Sequence, residues 1–249
     1  MSPLMTCAMP TDSPATEMIY RIFSSALVAG AAAGLLTGFL QLIFVQPVLL
    51  HAELYESGNL VHFGASGDVS TYQTLPLFDV SRDVMSILFS ALLFSGYAML
   101  LLPAMLLAED WYEQEISTRI GILWGLAGFI VFNLAPGFSM APEVPGVAAA
   151  EVADRQVWWA ITVISTGIAL WLIVFRQRPL FVAFAVVLIS APHLFGAPEP
   201  DVFRGAVPPE VAAKFAARAL GASMVGWIIL GVFCAKLWVL AQDRLGIVR

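Results

Sequence analysis

The chain has 249 residues, 59% of them hydrophobic and only 12% charged, where an ordinary soluble domain carries roughly 25% charged residues. No soluble fold of this length hides so much apolar surface, so the expected solvent is lipid and the expected class an all-α membrane protein. The formal net charge of −6, with 12 scattered Lys and Arg, excludes a nucleic-acid binder, which needs clustered cations to displace counterions from phosphate.

Residues 1–20 read as a polar N-terminal tail. It has no Lys or Arg, so it lacks the positive patch of a secretory signal, and the first apolar run is expected to be retained. Cys7 in the tail and Cys234 in the last apolar run form no C-x-x-C pair, and no disulfide is expected between them. A membrane domain over 21–240 follows, with apolar segments at 22–45, 84–107, 120–140, 157–175, 180–194 and 215–240, and then a tail at 241–249. A helix needs about 20 residues to cross the hydrocarbon core. The fifth segment is short, and Pro192 is expected to stop its last turn.

The first segment places Gly30, Gly34 and Gly38 on one helical stripe, open to close approach by another helix. Gln41 lies one turn beyond Thr37 and is expected to bond across helices. Gly121 and Gly125 repeat the packing signal in the third segment. Trp158 and Trp159 start the fourth, where an aromatic belt is expected at the membrane surface.

Lys and Arg in the connections set the orientation. With the N-terminus in the cytoplasm and six crossings, seven basic residues face inward and five outward. A re-entrant fifth segment, leaving five crossings, gives the same count; the nearly unbroken apolarity of 180–194 favours six. The outer connections are acidic. Glu53, Glu56, Asp68, Asp79, Asp83, Glu143, Glu151, Asp154, Glu199, Asp201 and Glu210 face Arg82, Arg155, Arg204, Lys214 and Arg218. Such a surface concentrates cations.

Enzyme motifs are absent. The only lysines are Lys214 and Lys236, and neither follows Gly, so there is no P-loop. H-E-x-x-H and G-x-S-x-G are missing too, and no enzymatic activity is expected. What remains is imidazole and oxygen donors at three helix ends: His51, Glu53 and Glu56 in "PVLLHAELYE", Asn133 and Glu143 in "FNLAPGFSMAPEVPG", and His193 and Glu199 with Asp201 in "APHLFGAPEPD". Odd-numbered crossings all end on the outer face, so the three groups are expected to converge there. Imidazole with carboxylate suits Co, Ni or Zn. His62, in a loop with no nearby helix end, is not expected to take part.

The blocks "RIFSSALVAGAAAGLLTGFLQLIFVQPVLLHAELYE", "FNLAPGF…PEVPG", "RQVWWA" and "APHLFGAPEP", in this order, resemble the CbtA family of predicted bacterial cobalt transporter subunits. The resemblance implies an inner-membrane protein with about five or six helices, taking up cobalt for cobalamin synthesis. It also implies a small CbtB-like partner with one helix and a histidine-rich end. Cobalt is then a substrate, and no cofactor is implied. Two positions depart from the family's pattern: His51 stands where an acidic residue is expected and Glu199 where Gln is expected. Both bear on metal preference. The resulting expectation is a permease subunit whose outer ligands are Glu53, Glu143 and His193, with Asn133 lower on the path and His51, Glu56 and Glu199 nearby. The alternatives are a nickel permease and a membrane scaffold that delivers metal without transporting it.

Overall fold

The computed structural model describes residues 14–60 and 79–243. Its elements in order are α1 (Pro14–Phe44), α2 (Gln46–Glu56), α3 (Val80–Tyr112), α4 (Thr118–Phe129), a π-helical turn (Ile130–Leu134), α5 (Ala135–Ser139), α6 (Val152–Phe175), α7 (Pro179–Phe195) and α8 (Pro209–Asp243). Among the described residues the only β pairing is one isolated bridge, Val147 with Gly205. The protein is an all-α, multi-pass membrane bundle.

Prolines and caps set the boundaries. Pro47, in the first turn of α2, has no N–H, and its ring would meet the carbonyl one turn back if α1 continued; the chain breaks at Val45. The Asp79 carboxylate caps α3 by accepting from the Arg82 N–H at 3.0 Å. Ser117 caps α4, accepting from the Ile120 N–H at 3.4 Å. Ahead of Pro136 the helix widens into the π turn, where the Ala135 N–H bonds the Ile130 carbonyl. The proline ring would crowd the Phe132 carbonyl in a regular turn, and the wider one relieves it.

Four helices form the core through small residues. On α1, Gly30 lies against Phe94 and Ser95, Gly34 against Ser90 and Ala91, and Gly38 against Ile87, so α1 and α3 are antiparallel with backbones nearly touching. Gly121 meets Gly231 and Ala235, and Gly125 meets Trp227, making α4 and α8 antiparallel. Thr37 meets Gly226, and the Arg218 guanidinium donates to the Phe44 carbonyl at 3.0 Å, so α8 also runs against α1. The expected cross-helix bond of Gln41 is present: its side-chain oxygen accepts from Ser90 Oγ at 3.2 Å. Trp227, only 1% exposed, centres the core, with Tyr97 at 4.7 Å and Phe132 at 5.2 Å between ring centroids. The α6–α7 hairpin attaches differently, through rings. Tyr112 stacks on Phe175 at 4.4 Å, and Trp171 meets Trp111 and Trp124 edge-on.

Five stretches are long and apolar enough to cross a membrane: Thr16–Phe44, Val80–Tyr112, Thr118–Ser139, Val152–Phe175 and Pro209–Gln242. The sixth apolar stretch is α7, with 17 residues. At 1.5 Å per residue it spans about 25 Å, slightly less than a hydrocarbon core of about 30 Å. It is not a re-entrant loop. It runs back along α6 until the Pro192 carbonyl accepts from Trp158 Nε1 at 3.1 Å, near the start of α6. The first turn of α1 and the last of α8 therefore share one face.

Three expectations need correction. The segment after the first span is not a loop but α2, which buries Val48, Leu50, Ala52 and Leu54. Pro192 does not stop α7; the helix continues to Phe195 and ends at Gly196, whose φ of 90° suits glycine. A proline this close to the end forfeits one bond only, and its own carbonyl is satisfied by Trp158. Trp158 is accordingly buried and does not belong to a surface belt.

The shared face of the termini and the seven-to-five charge bias together predict a cytoplasmic C-terminus. A reporter fused after Arg249 should be active only in its cytoplasmic form. Activity of a periplasmic reporter at that position would invert the orientation and place the acidic connections in the cytoplasm.

Candidate functional site

The three acidic connections meet at one end of the bundle. Gly146, with φ 79°, lies so close to α2 that a Cβ there would come within 3.0 Å of the Glu56 Cβ. The connection after α5 is tied to the connection after α7 by the Val147–Gly205 bridge, with Ala148 N–H to the Arg204 carbonyl at 2.7 Å and Ala206 N–H to the Gly146 carbonyl at 3.3 Å. Beneath them Ala52, Val144 and Val207 form a small apolar cluster that seats α2 on the start of α8. The outer groups found along the sequence are thus neighbours in the fold.

Between the second and third acidic connections lies a pocket of about 650 Å³ whose lining includes Glu151, Asp154, Glu199 and Asp201, with Arg204 as its only cation. All four carboxylates are exposed. Among the described residues no three His, Cys, Asp or Glu side chains come together as a group able to hold a metal ion. The pocket lining is thus predominantly anionic, four carboxylates against one guanidinium.

His193 sits below this pocket. Its Nδ1 lies 2.8 Å from Ser139 Oγ at the end of α5. Its ring stands edge-on to Phe138 at 5.4 Å and to Trp158 at 5.8 Å. Asp154 is one helical turn from Trp158 on the same face of α6, which sets the imidazole about one turn beneath the carboxylates. Either tautomer satisfies this hydrogen bond, because the hydroxyl can donate or accept; in the one that carries its proton on Nδ1, Nε2 presents its lone pair, the form a metal requires.

The remaining candidates are differently engaged. Glu143 pairs with Arg155 at 2.8 Å, so a cation would compete with a guanidinium for it. Asn133 lies in the π turn, and its side-chain oxygen accepts from Trp227 Nε1 at 2.7 Å. His51 packs edge-on to Tyr55 at 5.4 Å. Glu53 is half-buried and Glu56 exposed, both on α2. His62 and Asp68 lie outside the described residues.

Two polar features escape a reading of the sequence. Asp83, expected in a loop, is 5% exposed in the first turn of α3. It accepts from Gln46 Nε2 at 2.8 Å and from Arg82 Nε at 3.1 Å, locking the start of α2 to α3. The signal is present in Gln46–Pro47, a break in an apolar run that leaves a polar residue to be satisfied. Ser139, the partner of His193, carries no signal beyond standing at a helix end.

No curated protein and no solved structure matches the chain. The model of one family does, over residues 19–239, almost the whole membrane domain. With an all-helical bundle, acidic connections converging at one end and a histidine beneath them, the chain belongs to the CbtA family, described as probable cobalt transporter subunit.

Proposed function

We propose that this protein is the permease subunit of a cobalt uptake system in the bacterial cytoplasmic membrane, supplying the metal for cobalamin synthesis. The observation that carries this reading is the meeting of the three acidic connections above His193. Hydrated Co²⁺ collects in the pocket of Glu151, Asp154, Glu199 and Asp201, sheds water, and is taken by the His193 imidazole. Closure of the connections brings Glu53 and Glu143 toward the ion, the latter released from Arg155, with His51, Glu56 and Glu199 at the rim. Asn133, in the π turn, lies lower on the same route. Among the described residues the one cysteine, Cys234, is buried in the core, and nitrogen and oxygen donors release the ion readily.

The chain has no P-loop, so the membrane potential or a partner drives the step. A potential of 100 mV is worth about 4.6 kcal/mol for a divalent ion moving inward, roughly a thousandfold accumulation. The partner is a small single-helix subunit of the CbtB kind, whose histidine-rich end would hand over or receive the ion. A second reading, a scaffold that passes metal to another protein, draws on the lack of a three-ligand group among the described residues.

Cobalt uptake by cells making this chain, with and without the small subunit, tests the proposal. Uptake that depends on this chain, and cobalt flux through the purified protein in liposomes, are the expected results. Delivery to a partner without flux would favour the scaffold. Nickel abolishing cobalt flux at equal concentration would make nickel the substrate.

A further inference from the structure

Arg155 Nη2 lies 2.8 Å from Glu143 Oε2, which ties the connection after α5 to the first turn of α6. The same two stretches of chain hold His193. Ser139, just ahead of Glu143 at the end of α5, bonds the imidazole Nδ1. Trp158, one turn beyond Arg155 on α6, packs edge-on to the ring. Four residues of extended chain span at most about 14 Å, so the Glu143 backbone stays close to Ser139, the partner of the imidazole.

Two features make this pair exchangeable. Both side chains reach water, Arg155 at 28% exposure and Glu143 at 35%, and pairs so exposed add little net stability. Arg155 Nε is buried without a hydrogen-bond partner among the described residues, so the side-on fork through Nε and Nη2, one of the strong forms of an arginine–carboxylate pair, is not made. A second carboxylate is within reach. The Arg155 backbone N–H bonds the Glu151 carbonyl at 3.1 Å, one helical turn back, with the acid before the base, the favourable order. Glu151 is exposed and has no ion pair among the described residues. It lines the acidic pocket with Asp154, Glu199 and Asp201, against Arg204.

On the reading of Glu143 and His193 as ligands, we infer that Arg155 is a tethered competitor for the transported ion. It holds Glu143 until a divalent cation displaces it, and it then pairs with Glu151. Glu143 is neutralised in both states, first by the guanidinium and then by the ion, so no bare carboxylate is left beside the imidazole. The acidic pocket changes instead. Its four carboxylates face Arg204 alone before the exchange and Arg204 with Arg155 after it, so its pull on a second cation falls once the first is bound. The competing guanidinium also keeps affinity low enough for the ion to leave inward. Arg155 touches neither the ion nor the imidazole; it is a positioning residue that acts through Glu143.

Co²⁺ binding to the full chain, purified in mild detergent and followed by titration calorimetry, tests this exchange. Arg155→Gln should bind Co²⁺ about fivefold more tightly, the effect of removing one partly exposed competing charge, and Arg155→Lys should stay near wild type. A guanidinium with a structural role alone has the opposite sign: its loss weakens binding or lowers abundance. Glu151→Gln should weaken binding more than Asp201→Asn, which removes the same charge from the other side of the pocket. That excess should vanish when Arg155→Gln is also present, because no displaced guanidinium then needs Glu151. Unchanged or weaker Co²⁺ binding by Arg155→Gln at normal abundance would overturn the inference. So would equal effects of Glu151→Gln and Asp201→Asn in the wild-type background, a comparison that stands even if Arg155→Gln does not fold. A wild type that binds no Co²⁺ would overturn the ligand reading itself, and the exchange with it.

Discussion

Gly34→Leu is expected to remove most of the folded protein from the membrane. A Cβ at Gly34 would collide with the Ser90 carbonyl oxygen and the Ala91 Cα, both backbone atoms of α3 that no rotamer change can clear. Overpacking a core with one or two methylenes typically costs about 1–3 kcal/mol, and a leucine here must push α1 and α3 apart along their length. The neighbouring contacts at Gly30 and Gly38 and the Gln41–Ser90 hydrogen bond would be lost with it. Total stabilities of about 5–15 kcal/mol leave little reserve against that. Gly96→Ala is the matched control: it lies on α3, nothing stands within 4 Å of its added Cβ, and a helical Ala is favoured over Gly by about 1 kcal/mol. Abundance of the detergent-solubilised variants by size-exclusion chromatography checks both. Normal abundance of Gly34→Leu with lost uptake would make the stripe a lining of the ion route instead of a helix contact.

That stripe is readable because it uses one local pattern, glycine every fourth residue, whose only physical use inside lipid is close approach. The five long spans are readable for a similar reason, since length and apolarity are set residue by residue. The α2 helix is not. Its buried residues Val48, Leu50, Ala52 and Leu54 alternate, and alternation carries no helical period. It arises because α2 is covered on two sides, packing against both α1 and α8. The convergence of the acidic connections follows from counting crossings, but the distances within them depend on which loops touch. The Gly146–Glu56 contact and the Val147–Gly205 bridge are tertiary facts with no local signature. The same is true of Trp158. An indole at a helix start reads as a belt residue, and only the return of α7 supplies the Pro192 carbonyl that draws it inward. Glu143 shows the limit from the other side: its type suits a ligand, but Arg155 reaches it first.

His193→Ala is expected to abolish most cobalt uptake at near-normal abundance. The imidazole is half-buried at the end of α7, wedged between Phe138 and Trp158. Removing it leaves the Trp158–Pro192 hydrogen bond that anchors the helix end, so the fold should persist. What is lost is the only imidazole below the acidic pocket among the described residues. The exposed carboxylates above can attract a cation but, in this arrangement, do not gather as a chelating group. Ser139→Ala separates a ligand from a structural ring. Ser139 Oγ lies 2.8 Å from Nδ1 and orients the ring through that hydrogen bond; losing such a partner typically costs about 10–100-fold in metal affinity. Uptake by Ser139→Ala should therefore require higher cobalt while its maximal rate changes little. Protons compete with the metal for Nε2, so wild-type uptake should weaken as the outside is acidified, and a raised cobalt concentration should restore it. A purely structural histidine would show neither the shifted cobalt dependence nor that competition. Wild-type uptake by His193→Ala at equal abundance would leave the ring as a polar plug between α5, α6 and α7, and the first ligand would have to be sought among Glu53, Glu56 and His51 on α2.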